Sequence, residues 1–396
     1  MAIGSTPTAL RPSWRSRGAH AVALMLSLLA PADVTAADAG EASAAEANGP
    51  LPVYPKPRSA KSRPEEVRIP PAVTLVKGPS TDASALAVVR EVLRDAGVRT
   101  IHQVDDQSPV RGARLTVHVG GHKENVATAG ALRALGVQGA ETMAAEGYVL
   151  AVGEGRDGRD RIVLSGADGA GTYYAAQTLR QLVHGLRLQG VVIRDWPSLR
   201  WRGAMDGFYG PSPSHQQRLA DLDRFGRHKL NSYVYAPKDD PYRRTEWRKP
   251  YPAHELARIG ELVRRARENH VSFGYVLSPG LSVRYSQPSE AAALTAKFES
   301  LWELGVRSFV VAFDDIDDQR WNCAEDRAAF GTGPAAAAGA QAHLANAVQK
   351  AFIAVRPEAE PLQMMPSQYW GTSRTDYTRR IAQDLDPGIV VQWTAR

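Results

Sequence analysis

From about Trp201 to the end of the chain, short apolar stretches alternate with amphipathic stretches in a strict strand–helix order. The apolar stretches centre near Ala204, Tyr233, Phe273, Phe309, Leu362 and Val390. Connections long enough to hold a helix let successive buried strands run parallel. The pattern therefore predicts a parallel sheet, either an open doubly wound sheet or a (β/α)8 barrel.

Helix signals fill the gaps between these stretches. Ser214 is followed three residues later by Gln217, which is the spacing of a capping box, and Leu219, Leu222 and Phe225 then recur at helical spacing. Two further helices are predicted from apolar positions at the same spacing, at Leu256, Ile259, Val263 and Ala266, and at Leu294, Phe298 and Leu301.

Residues 51–196 read as a separate small α/β domain. A helical pattern ends at Gly97, and β-rich runs follow, among them Leu115–Val119 and Val191–Ile193. Catalytic residue types do not gather in this region, so we expect an accessory domain there. The sequence predicts a linker over 37–50 and a second, catalytic domain over 197–396.

Residues 1–36 have the form of a signal peptide. Arg11, Arg15 and Arg17 precede an apolar run over 19–30, and small residues at 34 and 36 suit signal peptidase. The run is shorter than the roughly 20 residues that span a bilayer. We therefore expect a secreted or periplasmic protein without a stable membrane anchor.

Composition excludes several classes of site. The 48 Lys and Arg residues exceed the 42 Asp and Glu residues only slightly, and they do not form runs interleaved with aromatic residues. A nucleic-acid surface is therefore not expected. Cys323 is the one cysteine in the sequence, which excludes an internal disulfide, a cysteine-based zinc site and an iron–sulfur cluster.

Polar residues collect directly after the predicted strands, where a barrel keeps its active site. These segments are 206–210, 235–242, 313–318 and 365–370. They combine glycines and aromatic residues with carboxylates. Aromatic rings stack on the apolar faces of a sugar, and charged or amide groups bind its hydroxyls. A glycosidase is the natural candidate.

The aspartates at 314, 315, 317 and 318 admit three interpretations. They could form a solvated acidic loop, a hard-cation site built from oxygen ligands, or a catalytic group. The spacing lacks the calcium-loop pattern, and the first pair follows a buried strand directly, which favours catalysis. In the loop after the second strand, Asp239 and Asp240 are expected to cap or to pair with Arg243 and Arg244, and Lys238 is the functional candidate.

Taken together, these segments resemble glycoside hydrolase family 84, the β-N-acetylglucosaminidases that include O-GlcNAcases and bacterial hyaluronidase-like toxins. The resemblance rests on segments that stand in family order: Gly207-Phe208-Tyr209-Gly210, 235–242, Tyr251-Pro252, Ser278-Pro279-Gly280, Lys297-Phe298, Leu304-Gly305-Val306-Arg307 and Phe313-Asp314-Asp315-Ile316. It implies a small α/β domain followed by a (β/α)8 TIM barrel, of which about six strands are present here.

The resemblance also implies a mechanism and a set of site residues. The acetamido oxygen of the substrate attacks the anomeric carbon and gives an oxazoline, so the configuration is retained and no cofactor or metal is needed. By motif, Asp314 would polarise the acetamido N–H, and Asp315 would act as general acid and base. The implied binding residues are Gly207, Tyr209, Lys238 and Tyr369.

The implied substrate is a glycan, a glycoprotein or a glycosaminoglycan fragment with a terminal β-linked GlcNAc. Since the family barrel has two more strands than the sequence supplies, the residues expected from those strands cannot be assigned. The alternative hypothesis is a truncated, non-catalytic relative that binds sugar.

Overall fold

The computed structural model describes residues 51–110, 112–207 and 210–394. By their contacts, Leu51–Arg396 form one compact unit. The predicted signal peptide and linker lie outside the described residues. The division into domains at 51–196 and 197–396 stays a prediction, although the structure does hold two separate sheets.

The first sheet has seven strands with helices on both faces. Its elements are β1 Ser59–Arg68, β2 Ala72–Lys77, α1 Ala83–Asp95, β3 Thr100–Asp105, β4 Leu115–Val119, α2 Ala127–Ala134, β5 Tyr148–Glu154, β6 Asp160–Gly166, α3 Gly169–Leu182 and β7 Arg187–Asp195. The strand order is β1-β7-β5-β6-β4-β2-β3. Strands β6, β4, β2 and β3 run parallel, and the β6–β5, β5–β7 and β7–β1 pairs are antiparallel.

The second sheet has six strands, all parallel, in the order β13-β12-β11-β10-β9-β8. Its elements are β8 Gly203–Asp206, α4 His215–Arg227, β9 Ser232–Tyr235, α5 Ala253–Glu268, β10 Ser272–Leu277, α6 Pro288–Trp302, β11 Ser308–Ala312, α7 Ala324–Phe330, α8 Pro334–Val348, β12 Gln363–Met365, α9 Asp376–Asp384 and β13 Val390–Val391. This confirms the predicted parallel sheet, curled as part of a barrel. The long interval between β11 and β12 holds α7, α8 and a π-helical turn at Gln349–Ile353.

Local signals explain how these elements begin and pack. Ser214 accepts from the Gln217 N–H while the Gln217 side chain accepts from the Ser214 N–H, so the predicted capping box forms at α4. A continuous core joins strands β9 to β12 to the helices α4 to α9, with Phe298, Phe309 and Phe352 fully buried at its centre. Because the strands are parallel, all their carboxyl ends lie at one edge, and that edge carries the polar loops.

Candidate active site

The central aspartates leave the sheet directly from its most buried strand. All five residues of β11 are buried, and Phe313 continues the pairing by donating its N–H to the Met365 carbonyl at 2.8 Å. Asp314 and Asp315 follow at the carboxyl edge, with side chains 16% and 29% exposed. Placement on a fully packed strand fixes both carboxylates while leaving them accessible to a substrate.

The loop that follows β9 brings a lysine to this pair. The Lys238 ammonium lies 3.3 Å from Asp314 Oδ2 and 3.0 Å from Asp315 Oδ2, so it bridges the two carboxylates. The side chain of Lys238 is 20% exposed. The structure therefore places the sequence-predicted Lys238 within hydrogen-bonding distance of both predicted aspartates.

A fourth predicted residue comes from the loop after β12. The Tyr369 hydroxyl lies 3.3 Å from Asp315 Oδ1, and Lys238 contacts the Oδ2 atom of the same carboxylate. Asp318 ties this loop to the β11 loop, because its Oδ2 accepts from the Ser367 hydroxyl and the Gln368 amide, both at 3.3 Å. Asp318 thus joins two loops, a contact that the sequence analysis did not foresee.

The two remaining predicted residues follow β8. Gly207 lies beside Ala236: a Cβ at Gly207 would be 3.7 Å from the Ala236 Cβ. The Asp206 carbonyl accepts from the Ala236 N–H at 3.1 Å, which holds Gly207 next to the base of the Lys238 loop. Tyr209 lies outside the described residues, so its predicted role stays a prediction.

The β9 loop is held by a buried tyrosine network centred on Asp240. Asp240 accepts from the hydroxyls of Tyr251 at 2.6 Å and Tyr235 at 3.2 Å, and from the Tyr242 N–H at 2.9 Å. Burial, and after it the charge of Asp240, raises the pKa of Tyr235 well above its usual range. These hydroxyls therefore stay protonated and donate to Asp240, which accounts for its structural role.

The predicted capping is confirmed at Asp240, whereas the predicted pairing of Asp239 and Asp240 with Arg243 and Arg244 needs a correction. Asp239 accepts from the Ser212 hydroxyl at 2.7 Å, and Asp240 caps the short turn over Pro241–Arg243. Arg243 turns inward instead and donates to the Pro237 carbonyl, the Val276 carbonyl and the Ser278 hydroxyl. The burial of Arg243 was not predicted from the sequence. The one sequence motif near its contacts is the Ser278-Pro279-Gly280 segment.

The arrangement can exchange protons and bind polar groups. Two carboxylates, an ammonium and a phenol converge where a sugar hydroxyl or amide could replace one of their mutual contacts. Within the described residues, no group of three or more His, Cys, Asp or Glu side chains is arranged to hold a metal ion. No helix in this part of the chain is long and apolar enough to cross a membrane.

Two family models cover most of the described residues. A beta-N-acetylglucosaminidase model matches residues 202–396, which contain the second sheet and its loops. A model described as glycosyl hydrolase family 20, domain 2, matches residues 51–196, which contain the first sheet.

Among curated proteins, the Protein O-GlcNAcase of Rattus norvegicus is 35% identical over 198 residues, which are 48% of this chain and 20% of that protein. The Protein O-GlcNAcase of Mus musculus matches to the same extent. The chain therefore matches about a fifth of the length of these relatives.

Among solved structures, CpGH84B has a TM-score of 0.72 at 30% identity, over 87% of this chain and 56% of that one. CpGH84D has a TM-score of 0.70 at 23% identity, over 87% of this chain and 55% of that one, and it supports the fold alone.

Proposed function

Because the chain belongs to glycoside hydrolase family 84, we propose that it is a retaining β-N-acetylglucosaminidase that removes terminal β-linked GlcNAc. The observation that carries the proposal is the cluster of Asp314, Asp315, Lys238 and Tyr369 at the carboxyl edge of the parallel sheet. Active sites of barrel enzymes lie at this edge.

The proposed first step uses the acetamido group of the substrate as the nucleophile. Its carbonyl oxygen bonds to the anomeric carbon while the glycosidic C–O bond breaks, and a protonated oxazoline forms that keeps its N–H proton hydrogen-bonded to Asp314. Asp314 accepts the acetamido N–H, which makes the carbonyl oxygen more nucleophilic. Asp315 gives its proton to the leaving oxygen.

The second step returns the enzyme to its starting state. Asp315, now ionised, takes a proton from water as the water oxygen attacks the anomeric carbon. The C–O bond of the oxazoline breaks, and the acetamido group is restored. Two inversions at the same carbon leave the product with the β configuration of the substrate.

The remaining residues are proposed to bind the sugar. Lys238 and the Gly207 carbonyl would hold hydroxyls, Tyr369 would donate near the acetamido group, and Tyr209 would line the pocket. The contact of Lys238 with both carboxylates supports this, because a sugar hydroxyl can take the place of one of those contacts.

We further propose that the substrate is a glycan, a glycoprotein or a glycosaminoglycan fragment, and that the protein is exported. The O-GlcNAcase relatives support a GlcNAc-bearing protein as one such substrate. Export rests on the sequence pattern of residues 1–36. N-terminal sequencing of the protein purified after expression with these residues tests export: cleavage after Ala36 is the expected result.

The proposed function is tested with an aryl β-GlcNAc. Turnover should be blocked by a thiazoline that mimics the oxazoline, should survive a chelator, and should release the β-anomer first, as observed by NMR. Release of the α-anomer, or loss of turnover in the chelator, would contradict the mechanism. Thiazoline binding without turnover would indicate a sugar-binding protein instead.

A further inference from the structure

Arg243 is a buried charge beside the proposed site. It lies in the turn after β9, is 2% exposed, and uses its guanidinium for three hydrogen bonds. It donates to the Pro237 carbonyl at 3.0 Å, to the Val276 carbonyl at 3.1 Å and to the Ser278 hydroxyl at 2.9 Å. All three acceptors are uncharged.

The burial of this guanidinium is unfavourable in itself. Burial lowers the pKa of Arg243, and the nearby Tyr275, Asp240 and Asp314 oppose this shift in part. Its three hydrogen bonds, however, fix a geometry that an apolar side chain could not fix.

The bonds join the β9 loop to the end of β10. Val276 lies on β10 and Ser278 directly follows the strand, whereas Pro237 belongs to the β9 loop. The Ser278 N–H also donates back to the Arg243 carbonyl at 2.8 Å, so the connection is made in both directions. Arg243 thereby anchors the loop to a strand whose last five residues are buried.

The anchored carbonyl belongs to the peptide group that links Pro237 to Lys238. A peptide group is planar, and proline fixes its own φ, so a held Pro237 carbonyl sets the direction in which the Lys238 backbone leaves. From that backbone the Lys238 ammonium reaches both catalytic carboxylates, at 3.0 and 3.3 Å. An error of about 1 Å in such a group can cost about 100-fold in rate.

We propose that Arg243 is a positioning residue that acts on the reaction through Lys238. The inference rests on the proposed function, since it assigns a further residue to the same site. It makes a specific claim: Arg243 should matter for activity only while Lys238 is present.

A double-mutant cycle tests this claim on kcat/KM for an aryl β-GlcNAc and on the Kd of the thiazoline. Lysine cannot make the three forked bonds of arginine, so Arg243→Lys should lower kcat/KM by about tenfold or more. In the Lys238→Met background, the same substitution should change kcat/KM by less than about threefold. A loss that is as large in both backgrounds, or no loss in either, would overturn the inference.

Two further variants separate positioning from general damage. Ser278→Ala removes one acceptor of Arg243 and should give a smaller loss that also disappears in the Lys238→Met background, so the cycle stays decisive if Arg243→Lys does not fold. Arg356→Lys is the matched control, because Arg356 donates to the Phe352 carbonyl at 2.9 Å and to Glu299, away from the β9 loop. It should leave kcat/KM unchanged.

The same experiment distinguishes a failure of the proposed function from a failure of the positioning role of Arg243. An unsubstituted protein that neither turns over the substrate nor binds the thiazoline contradicts the proposed function. An active protein whose Arg243 and Lys238 effects simply add on the free-energy scale contradicts the positioning role alone.

Discussion

Asp315 has a backbone φ of +56°, in the left-handed region. Most side chains are disfavoured there, but Asp and Asn tolerate it because their short polar groups bond locally. An Asp315→Asn variant therefore removes the acidic proton without adding backbone strain, whereas an alanine would change both. The asparagine variants are the right probes for both carboxylates.

The leaving group should reveal the role of Asp315. Asp315→Asn removes the proposed proton donor, which matters greatly for an alcohol leaving group and little for a dinitrophenolate. The variant should therefore keep far more of its first-step rate on dinitrophenyl β-GlcNAc than on less activated glycosides. Pre-steady-state rates across a series of aryl leaving groups give this comparison.

Asp314→Asn should behave differently in the same series. Asp314 is proposed to act on the acetamido group, so its loss should slow oxazoline formation for every leaving group, by about 10²- to 10⁴-fold. If an acidic leaving group rescues Asp314→Asn and not Asp315→Asn, the two roles are reversed. If neither variant loses more than a few-fold, this pair is not the catalytic centre.

Strand β4 carries a titratable side chain, that of His118, into the interior of the first sheet. All five residues of this strand are buried, and it lies between β2 and β6. Burial, and after it the charge of Arg161, lowers the pKa of His118 to about 4. His118 Nδ1 has no hydrogen-bond partner among the described residues, so a proton there would be poorly stabilised.

The stability of the protein should therefore fall in mild acid. An unfolded chain protonates His118 below about pH 6.5, whereas the folded chain resists protonation down to about pH 4. The free energy of unfolding is lost as the pH falls between these values, by up to about 3 kcal/mol, and this loss levels off below. Urea unfolding of His118→Gln from pH 7 to pH 4 should show a smaller loss of the free energy of unfolding than the unsubstituted protein shows. An equal loss in the two proteins would contradict this.

A buried ion pair between Lys229 and Asp195 connects the second sheet's part of the molecule to the first sheet. Lys229 follows α4, is 6% exposed, and donates to Asp195 Oδ2 at 3.2 Å and to the Tyr148 hydroxyl at 2.7 Å. Asp195 and Tyr148 belong to the first sheet. Burial lowers the pKa of Lys229, and the charge of Asp195 opposes this shift.

Breaking this pair on one side should be costly. Lys229→Met leaves Asp195 buried without its cation and should reduce the free energy of unfolding by about 3–5 kcal/mol. Lys229→Met with Asp195→Asn removes both charges and should recover part of that loss. Denaturant unfolding of both single variants and of the double variant measures these free energies. A loss in the double variant that equals the sum of the losses in the two single variants would contradict the coupling.

Much of the fold could be predicted because its signals are local. The strand–helix alternation, the Ser214 capping box and the end of a helix at Gly97 each depend on residues close in sequence, and each is confirmed. The alanine-rich α8 was not predicted, because an alanine run buried on most sides shows no periodicity.

The site could be predicted less completely. The segments of Asp314, Asp315, Lys238 and Tyr369 each follow a strand, so the parallel sheet brings them together as expected. Arg243 could not be predicted, because its acceptors are two backbone carbonyls and a serine whose positions depend on the packing of β9 against β10. Sequence patterns show which residues meet, but they do not show which buried groups hold them in place.

Attack by the acetamido oxygen is tested by measuring kcat/KM for aryl glycosides whose N-acetyl group carries none, one, two or three fluorine atoms. Fluorine withdraws electrons from the acetamido oxygen and makes it a weaker nucleophile. If that oxygen attacks the anomeric carbon with the help of Asp314, kcat/KM should fall steeply with each added fluorine. A rate that stays nearly constant across the series would mean that the nucleophile belongs to the enzyme or to water, and it would contradict the account.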